Sequence, residues 1–380
     1  MPGQSDLKSF IFSGKSSWSA SLPPHGYPTL QLTSGPWQGM DWEHELVFVG
    51  PKTKDVILVV TGYDANLVDL QEAERWSAIS GLGVATLFHQ PNQPLDDRFE
   101  DELIAHTLVQ YEETGDPTWP LLGPMVRSTF HAMDALQEWS QGEVQRFIVT
   151  GASKRGWTSW LTGAMGDPRV IGIAPVVFDM LNVPCQFQRQ AELFGAPSEM
   201  VKDYTVQGID QELGTSERLG ELVEMLDPWS YRDRLTLPTL AVIGSNDRYW
   251  ATDATSFYLP HMPRIPSLLT IPNAGHVFHG ELYDQGIGHF AACVSAGVEF
   301  PRWTPQGWEG FDHPEVLHYV AISHTLDFRD STFQTVKEFE VSPTQNMATF
   351  ALAAGEIKVG NEKRLVVISS PTTVHPATKA

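Results

Sequence analysis

Short runs of β-branched and other apolar residues recur along the chain, and helix-length stretches separate them. This alternation is typical of β-α-β units whose parallel strands are buried on both faces of a sheet. The pattern predicts strands at residues 45–49, 56–61, 84–88, 147–150, 170–178, 239–244 and 267–271. We therefore expect an α/β fold with a mostly parallel central sheet.

Two of the intervening stretches, residues 102–110 and 124–139, carry apolar side chains at intervals of three and four, which predicts helices. In the second of them, one stripe consists of Met125, Phe130, Met133 and Leu136. We interpret this stripe as part of the core and not as part of a binding site.

The strand pattern lapses between residues 179 and 227, where the chain is mixed helical and polar. We interpret this stretch as a helical cap inserted into an α/β-hydrolase core of residues 45–178 and 228–313. Further on, β-forming runs separated by polar turns predict a small β-rich C-terminal module at residues 314–372. The remaining ends are predicted as an N-terminal arm with the first strands (residues 1–44) and a frayed tail (residues 373–380).

Composition narrows the classes of partner. With 25 Lys and Arg against 46 Asp and Glu, the formal charge of −21 argues against nucleic acid as a partner, because a nucleic-acid binder needs a cationic face. Two cysteines in 380 residues cannot form a disulfide scaffold, and we interpret them as free thiols, with a single disulfide bridge as the alternative. The longest apolar runs are far too short to span a bilayer.

The N-terminus shows no apolar export signal after a basic start, which predicts a cytoplasmic protein. An exported protein from which the signal had already been removed would look the same. The sequence offers no indication of the oligomeric state.

Ser153 lies between a predicted buried strand and a predicted helix, in the sequence Gly-Ala-Ser-Lys-Arg-Gly at residues 151–156. A nucleophile elbow needs this context, because the tight turn admits only small neighbours and exposes the serine Oγ at a helix N-terminus. The common form is G-x-S-x-G, whereas here Arg155 occupies the place of the second glycine and Gly156 follows. The motif alone is therefore moderately specific.

The order of residues along the chain supports the serine. An α/β-hydrolase places its Ser, its Asp or Glu, and its His in that order at the carboxyl ends of successive strands. Asp247 follows the predicted strand 239–244, and His276 follows the predicted strand 267–271. We therefore predict Ser153, Asp247 and His276 as a catalytic triad, with Asp179 as the rival acid and His279 as the rival base.

An oxyanion needs two backbone donors. We predict the amide N–H of Lys154, directly after the serine, and that of Tyr63, in the loop after the strand at 56–61. The cationic side chains of Lys154 and Arg155 are unfavourable at a helix N-terminus and should have anionic partners. We favour a structural ion pair, with Asp179 as one candidate partner, over recognition of a substrate carboxylate.

Neither a zinc-binding motif nor a Gly-rich phosphate loop is present in the sequence. We predict that the reaction needs no metal and no cofactor.

Several short motifs together resemble the PhoPQ-activated pathogenicity-related protein family. They are residues 37–39 (WQG), 42–44 (WEH), 91–94 (PNQP), 119–125 (WPLLGPM), 151–157 (GASKRGW), 167–170 (DPRV), 179–182 (DMLN), 227–231 (DPWSY), 272–276 (PNAGH) and 327–329 (DFR). The resemblance spans about residues 28–330 and implies an α/β-hydrolase with a β-rich C-terminal extension. It also implies Ser153, Asp247 and His276 as the triad, while Tyr63 stands where the family more often has glycine.

The function predicted first is hydrolysis of an ester or amide in a small-molecule or peptide substrate. The second is a peptidase of the prolyl-oligopeptidase kind, in which acidic residues of the cap bind a free amine; the candidates are Glu192, Glu199 and Asp203. The third is a binding or signalling protein with a disused triad, or non-hydrolytic chemistry on a carbonyl compound. The identity of the substrate lies beyond the sequence.

Overall fold

A nine-stranded sheet runs through the protein, which we describe from a computed structural model covering residues 2–21, 25–212 and 216–378. Its strands are β1 (Ser17–Ser21), β2 (Thr29–Trp37), β3 (Met40–Val49), β4 (Asp55–Val60), β5 (Gly83–Leu87), β6 (Arg146–Ala152), β7 (Val170–Val176), β8 (Leu240–Gly244) and β9 (Ser267–Ile271). Their order in space is β1-β2-β3-β5-β4-β6-β7-β8-β9. The strands from β4 to β9 are parallel, and β1, β2 and β3 are antiparallel to their neighbours.

All seven predicted strands are present. The largest difference is at β3, which begins at Met40 and not at residue 45. Its first half alternates exposed and buried side chains, because there it pairs with β2 at the antiparallel side of the sheet. A run of uniformly apolar residues therefore marks only its second half.

Helices cover both faces of the sheet. They are α1 (Pro2–Ile11), α2 (Leu67–Ser80), α3 (Glu100–Thr114), α4 (Leu122–Trp139), α5 (Lys154–Ala164), α6 (Val183–Phe194), α7 (Lys202–Thr205), α8 (Ile209–Glu212), α9 (Glu217–Leu226) and α10 (Glu281–Ala296). The two predicted helices correspond to α3 and α4, and the predicted apolar stripe of α4 is buried.

Apolar side chains fill two core regions, one on each face of the sheet. In β4, Val56 and Leu58 belong to one region, and Ile57 belongs to the other. Because successive side chains of a strand point to opposite faces, a strand buried on both faces must be apolar at every position. This is why the central strands were recognisable as continuous apolar runs.

The segment between β7 and β8 contains α6, α7, α8 and α9, and no strand lies in its described part, residues 177–212 and 216–239. We call residues 179–227 the helical segment. The Asp227 carboxylate accepts hydrogen bonds from the backbone N–H of Asn182 (3.2 Å), Val183 (2.9 Å) and Trp229 (2.9 Å). This single side chain therefore joins the two ends of the segment; the exact boundaries of a cap stay a prediction.

The C-terminal part is rich in β-structure. A hairpin of β10 (Arg302–Thr304) and β11 (Gly307–Glu309) precedes a five-stranded sheet of β12 (Glu315–Ser323), β13 (Gln334–Val336), β14 (Asn346–Val359), β15 (Glu362–Ser369) and β16 (Thr373–His375). Ala353, Ile357 and Ile368 share a core region with Val242 and Leu269 of the large sheet. The C-terminal sheet therefore shares part of its core with the α/β core.

The predicted tail differs from the structure. Thr373–His375 is a strand that pairs with β14, and the Thr378 N–H donates to the Pro343 carbonyl at 3.0 Å. The Ser/Thr/Pro composition was typical of a frayed end, but strand pairing depends on a distant partner that composition does not reveal. Residues 379–380 lie outside the described residues.

Cys185 and Cys293 are both unpaired thiols. None of the helices in the described part of the chain is long and apolar enough to cross a membrane.

Candidate active site

Ser153 occupies the turn between β6 and α5 in a strained backbone conformation, with φ +59° and ψ −125°. Non-glycine residues rarely adopt such angles, and they persist only where the surrounding structure enforces them. Here the Ser153 N–H donates to the Val176 carbonyl of β7 at 2.9 Å. The turn therefore holds the serine above the carboxyl end of the sheet.

Two glycines make the turn possible. A Cβ on Gly151 would lie 2.8 Å from the Val60 carbonyl oxygen, and one on Gly156 would lie 2.6 Å from the Val176 carbonyl oxygen. Both distances are too short for real contacts, so only glycine fits at position 151 between β4 and α5, and only glycine at position 156 lets α5 approach β7. The second glycine is thus required one residue later than in the common motif, and Arg155 is compatible with the turn.

The structure brings Ser153, His276 and Asp247 together, and we call them the Ser–His–Asp group. His276 Nε2 lies 2.9 Å from Ser153 Oγ, and His276 Nδ1 lies 2.7 Å from Asp247 Oδ2. The second oxygen of Asp247 accepts the Tyr249 N–H at 2.9 Å. Each ring nitrogen of His276 therefore has one partner, and both carboxylate oxygens of Asp247 are occupied.

The Tyr249 ring also packs against the His276 ring, with centroids 4.2 Å apart and the two planes tilted by 34°. Its hydroxyl donates to Asp101 Oδ2 at 3.2 Å. Tyr249 therefore contacts the base through its ring and the acid through its backbone. No sequence motif marks Tyr249, although it lies only two residues after Asp247.

The two rival residues do not contact the Ser–His–Asp group by hydrogen bonds. Asp179 is 3% exposed, and burial raises the pKa of its carboxyl to about 7. His279 Nδ1 lies 3.5 Å from Glu72 Oε1, and the His279 side chain is mostly exposed. Of the described residues, only Asp247 and His276 complete a hydrogen-bonded chain from Ser153.

The cations after the serine have an anionic partner, as expected, but it is Glu100 at the start of α3 and not the candidate Asp179. Lys154 Nζ lies 2.7 Å from Glu100 Oε2, and Arg155 donates to both Glu100 oxygens at 2.7 and 2.8 Å. Burial alone would raise the pKa of Glu100, but the bonds and charges of Arg155 and Lys154 outweigh it and lower the pKa to about 2. No sequence signal identified Glu100, because it lies 54 residues from Lys154.

Of the two predicted oxyanion donors, Lys154 is the first residue of α5, and Tyr63 lies in the loop after β4. The amide N–H groups of Lys154 and Tyr63 have no hydrogen-bond acceptor within residues 2–21, 25–212 and 216–378. Gly62 packs against Arg155 so closely that a Cβ would lie 1.9 Å from the guanidinium, and the Tyr63 ring lies near the same group. The Tyr63 side chain itself is 64% exposed.

Two asparagines fix the loops that carry the acid and the base. The Asn246 side chain donates to the carbonyl oxygens of Phe328 (3.3 Å), Arg329 (3.2 Å) and Ser331 (2.7 Å). The Asn273 side chain bonds the Phe333 carbonyl at 3.0 Å and the Phe333 N–H at 2.7 Å. The segment from Phe328 to Phe333, between β12 and β13, therefore holds both loops in place.

An apolar pocket opens beside Ser153, with about 900 Å³ of free space including its mouth. The helical segment supplies more than half of its lining. Its apolar lining includes Leu108, Phe187, Ile209, Leu219, Leu222 and Leu226.

A second, more polar pocket borders His276 and is lined by Asp69, Glu72 and His279, among others. Burial, followed by the nearby charge of Asp284, raises the pKa of Glu72 to about 7. In the part of the chain that the structure describes, no group of three or more His, Cys, Asp or Glu residues could hold a metal ion.

Residues 19–323 match the sequence profile of the family described as PhoPQ-activated pathogenicity-related protein. The chain is also 34% identical over 281 residues to autocrine proliferation repressor protein A of Dictyostelium discoideum. That match covers 67% of this chain and 56% of the relative, so the chain spans little more than half the length of this relative.

Among solved structures, the protein resembles the acetyl xylan esterase of Paenibacillus sp. R4, with a TM-score of 0.55 at 15% identity, covering 76% of this chain and 92% of the other. Acetyl xylan esterase 1 of Thermoanaerobacterium sp. JW/SL YS485 gives a TM-score of 0.55 at 16% identity, covering 77% and 91%. At these identities the likeness concerns the fold alone. The chain has the α/β-hydrolase fold and belongs to the PhoPQ-activated pathogenicity-related protein family.

Proposed function

We propose that the protein is a serine hydrolase that cleaves an ester or amide bond through an acyl-enzyme on Ser153. The hydrogen-bonded chain from Ser153 Oγ through His276 to Asp247, at a strained strand-to-helix turn, is the observation that carries this proposal. Such a chain activates a hydroxyl that is a weak nucleophile by itself. The roles of the residues follow from their positions.

In the first half of the reaction, Ser153 Oγ attacks the substrate carbonyl carbon while His276 Nε2 takes the hydroxyl proton. Asp247 holds the Nδ1–H of the ring and stabilises the imidazolium that forms. The N–H groups of Lys154 and Tyr63 donate to the oxyanion. The tetrahedral intermediate then expels the alcohol or amine, which receives the proton from His276.

In the second half, His276 takes a proton from water as the water oxygen attacks the acyl carbon. The intermediate collapses, the bond between Ser153 Oγ and the acyl carbon breaks, and His276 returns the proton to the serine. The carboxylic acid leaves, and the protein is restored.

A fluorophosphonate probe tests the nucleophile, because it reacts covalently with an activated serine. We expect the native protein to be labelled and Ser153→Ala to lose labelling completely. Ser159→Ala is the matched control, since Ser159 lies on α5 and its hydroxyl bonds, among the described residues, only the Arg155 carbonyl. Undiminished labelling of Ser153→Ala would refute the proposal.

The peptidase alternative receives no support from the three acidic residues predicted to bind a peptide amine. Glu192 pairs with Arg189, and Glu199 pairs with Arg248 and Arg329. Neither of these residues nor Asp203 is among the described residues that line the pocket beside Ser153. This arrangement favours a substrate without a free amine.

A further inference from the structure

Resting on the proposed hydrolase function, we propose that the apolar pocket beside Ser153 receives an uncharged, apolar substituent of the substrate ester. The substituent is either the acyl chain or the alcohol part, and it packs against the helical segment. The composition of the pocket wall and the state of its charged groups support this inference.

The wall of the pocket is built from apolar side chains of several elements. Leu108 of α3 faces α9, which contributes Leu219, Leu222 and Leu226. These four side chains are all less than 10% exposed. An apolar substituent would therefore replace water beside a preformed apolar surface, which is the usual driving force for binding in such sites.

The charged groups of the pocket are paired within the protein. Lys154 is 7% exposed and lies 2.7 Å from Glu100 and 3.3 Å from Asp101. Asp101 in turn accepts the hydroxyls of Tyr204 at 3.1 Å and Tyr249 at 3.2 Å. Neither the Lys154 ammonium nor the Asp101 carboxylate can bind a substrate ion without losing a partner within the protein.

Asp227 is the other carboxylate of the pocket, and its oxygens accept three backbone N–H groups at the base of the helical segment. It is 2% exposed. An ammonium or carboxylate on the substrate would thus enter an apolar space without a compensating partner, which is strongly unfavourable. The pocket should reject charged substituents and accept neutral ones.

Two series of esters measure this preference. The first contains p-nitrophenyl acetate, butyrate, hexanoate and octanoate, and the second contains ethyl, butyl and hexyl acetate. In the series whose variable part enters the pocket, we expect kcat/KM to rise about fourfold per added methylene until the pocket is full. The series that responds identifies whether the acyl or the alcohol part is bound.

A charged substrate of similar length provides the second comparison. The p-nitrophenyl ester of 6-aminohexanoate has an ammonium where the heptanoate ester has a methyl group. If the acyl part enters the pocket, we expect kcat/KM for the ammonium ester to be lower by at least about tenfold. If the alcohol part enters, the same comparison is made with 5-aminopentyl and hexyl acetate.

Variants of Val223, which lines the pocket from α9, test the position of the substituent. With Val223→Ala, kcat/KM should continue to rise up to a longer chain than in the native protein. With Val223→Trp, the rise should stop at a shorter chain. Gly220→Ala is the control, because a side chain at this exposed position of α9 would touch nothing within 4 Å.

The outcomes separate this inference from the hydrolase proposal. The pocket inference is overturned if kcat/KM stays constant or falls with chain length in both series, or if the ammonium ester is turned over faster than the neutral one. In either case, fluorophosphonate labelling of Ser153 would still support the hydrolase proposal. If labelling fails, the hydrolase proposal falls. Calorimetry then still tests the pocket, because we expect octanamide to bind more tightly than 6-aminohexanamide. If octanamide does not bind, the pocket inference is overturned.

Discussion

At the scale of single residues, the two candidate acids, Asp247 and Asp179, differ in their environment. Asp247 accepts hydrogen bonds at both oxygens, whereas Asp179 Oδ1 is buried without a partner in the described part of the protein. Burial raises the pKa of Asp179 from 3.8 to about 7. The folded state therefore favours the protonated form, and Asp179 lowers the stability increasingly as the pH rises from about 4 to 7.

Asp179→Asn should consequently stabilise the protein more at pH 8 than at pH 5, by on the order of 2 kcal/mol. Urea unfolding at both pH values measures the difference. An equal effect at the two pH values would show that the Asp179 carboxyl is not the cause.

Activity measurements on Asp247→Asn and Asp179→Asn distinguish the two candidate acids. Asp247→Asn should lower kcat by about 10⁴-fold, because the imidazole loses the group that fixes its tautomer. Asp179→Asn should leave kcat near the native value. The opposite result would make Asp179 the functional acid.

At the scale of elements, the N-termini of α3 and α5 stabilise each other. A helix N-terminus disfavours the cations Lys154 and Arg155, and Glu100 of α3 offsets this by bonding both. The charges are largely buried, so the loss of one partner leaves the others uncompensated. Because its folded pKa is lowered to about 2, Glu100 contributes stability above about pH 4.5, and this contribution is lost as the pH falls toward 2.

Glu100→Gln should therefore lower the free energy of unfolding at pH 7 by about 2–4 kcal/mol. The loss should shrink as the pH approaches 2, and denaturant titrations at several pH values measure it. Glu102→Gln is the matched control, since Glu102 is an exposed residue of the same helix. Equal effects of the two substitutions would contradict the structural role of Glu100.

At the scale of the whole molecule, the C-terminal part contributes to the geometry of the site. The segment between β12 and β13 bonds Asn246, next to the acid, and Asn273, three residues before the base. These bonds join residues 60 to 85 positions apart in the chain. The two loops are consequently held by a part of the chain that supplies none of the Ser–His–Asp group.

Asn273→Gly should lower kcat by about tenfold with little change in KM, because the His276 loop loses its attachment while the pocket remains. Glycine is chosen because residue 273 has φ +56°, which glycine adopts without strain. Asn346→Ala, in the C-terminal sheet, is the control and should leave kcat unchanged. A change in KM alone would argue against a positioning role for Asn273.

Much of the fold could be predicted because its signals are local. The central strands are buried on both faces, so each one is a continuous apolar run, and turns follow directly. Ser153, Asp247 and His276 lie in the turns and loops that follow such strands, and strand order alone brings the ends of parallel strands to one edge. The predicted domain boundaries and catalytic roles stay predictions.

The sequence by itself thus determined the α/β class, the core strands and the three residues at the carboxyl edge of the sheet. Only the tertiary structure decided that Asp247, and not Asp179, bonds His276, that Glu100 pairs with Lys154 and Arg155, and that the second glycine belongs at 156. These outcomes depend on distances between atoms far apart in the chain. Periodicity and propensity report the neighbours of a residue along the sequence, whereas pairing and close packing depend on its neighbours in space.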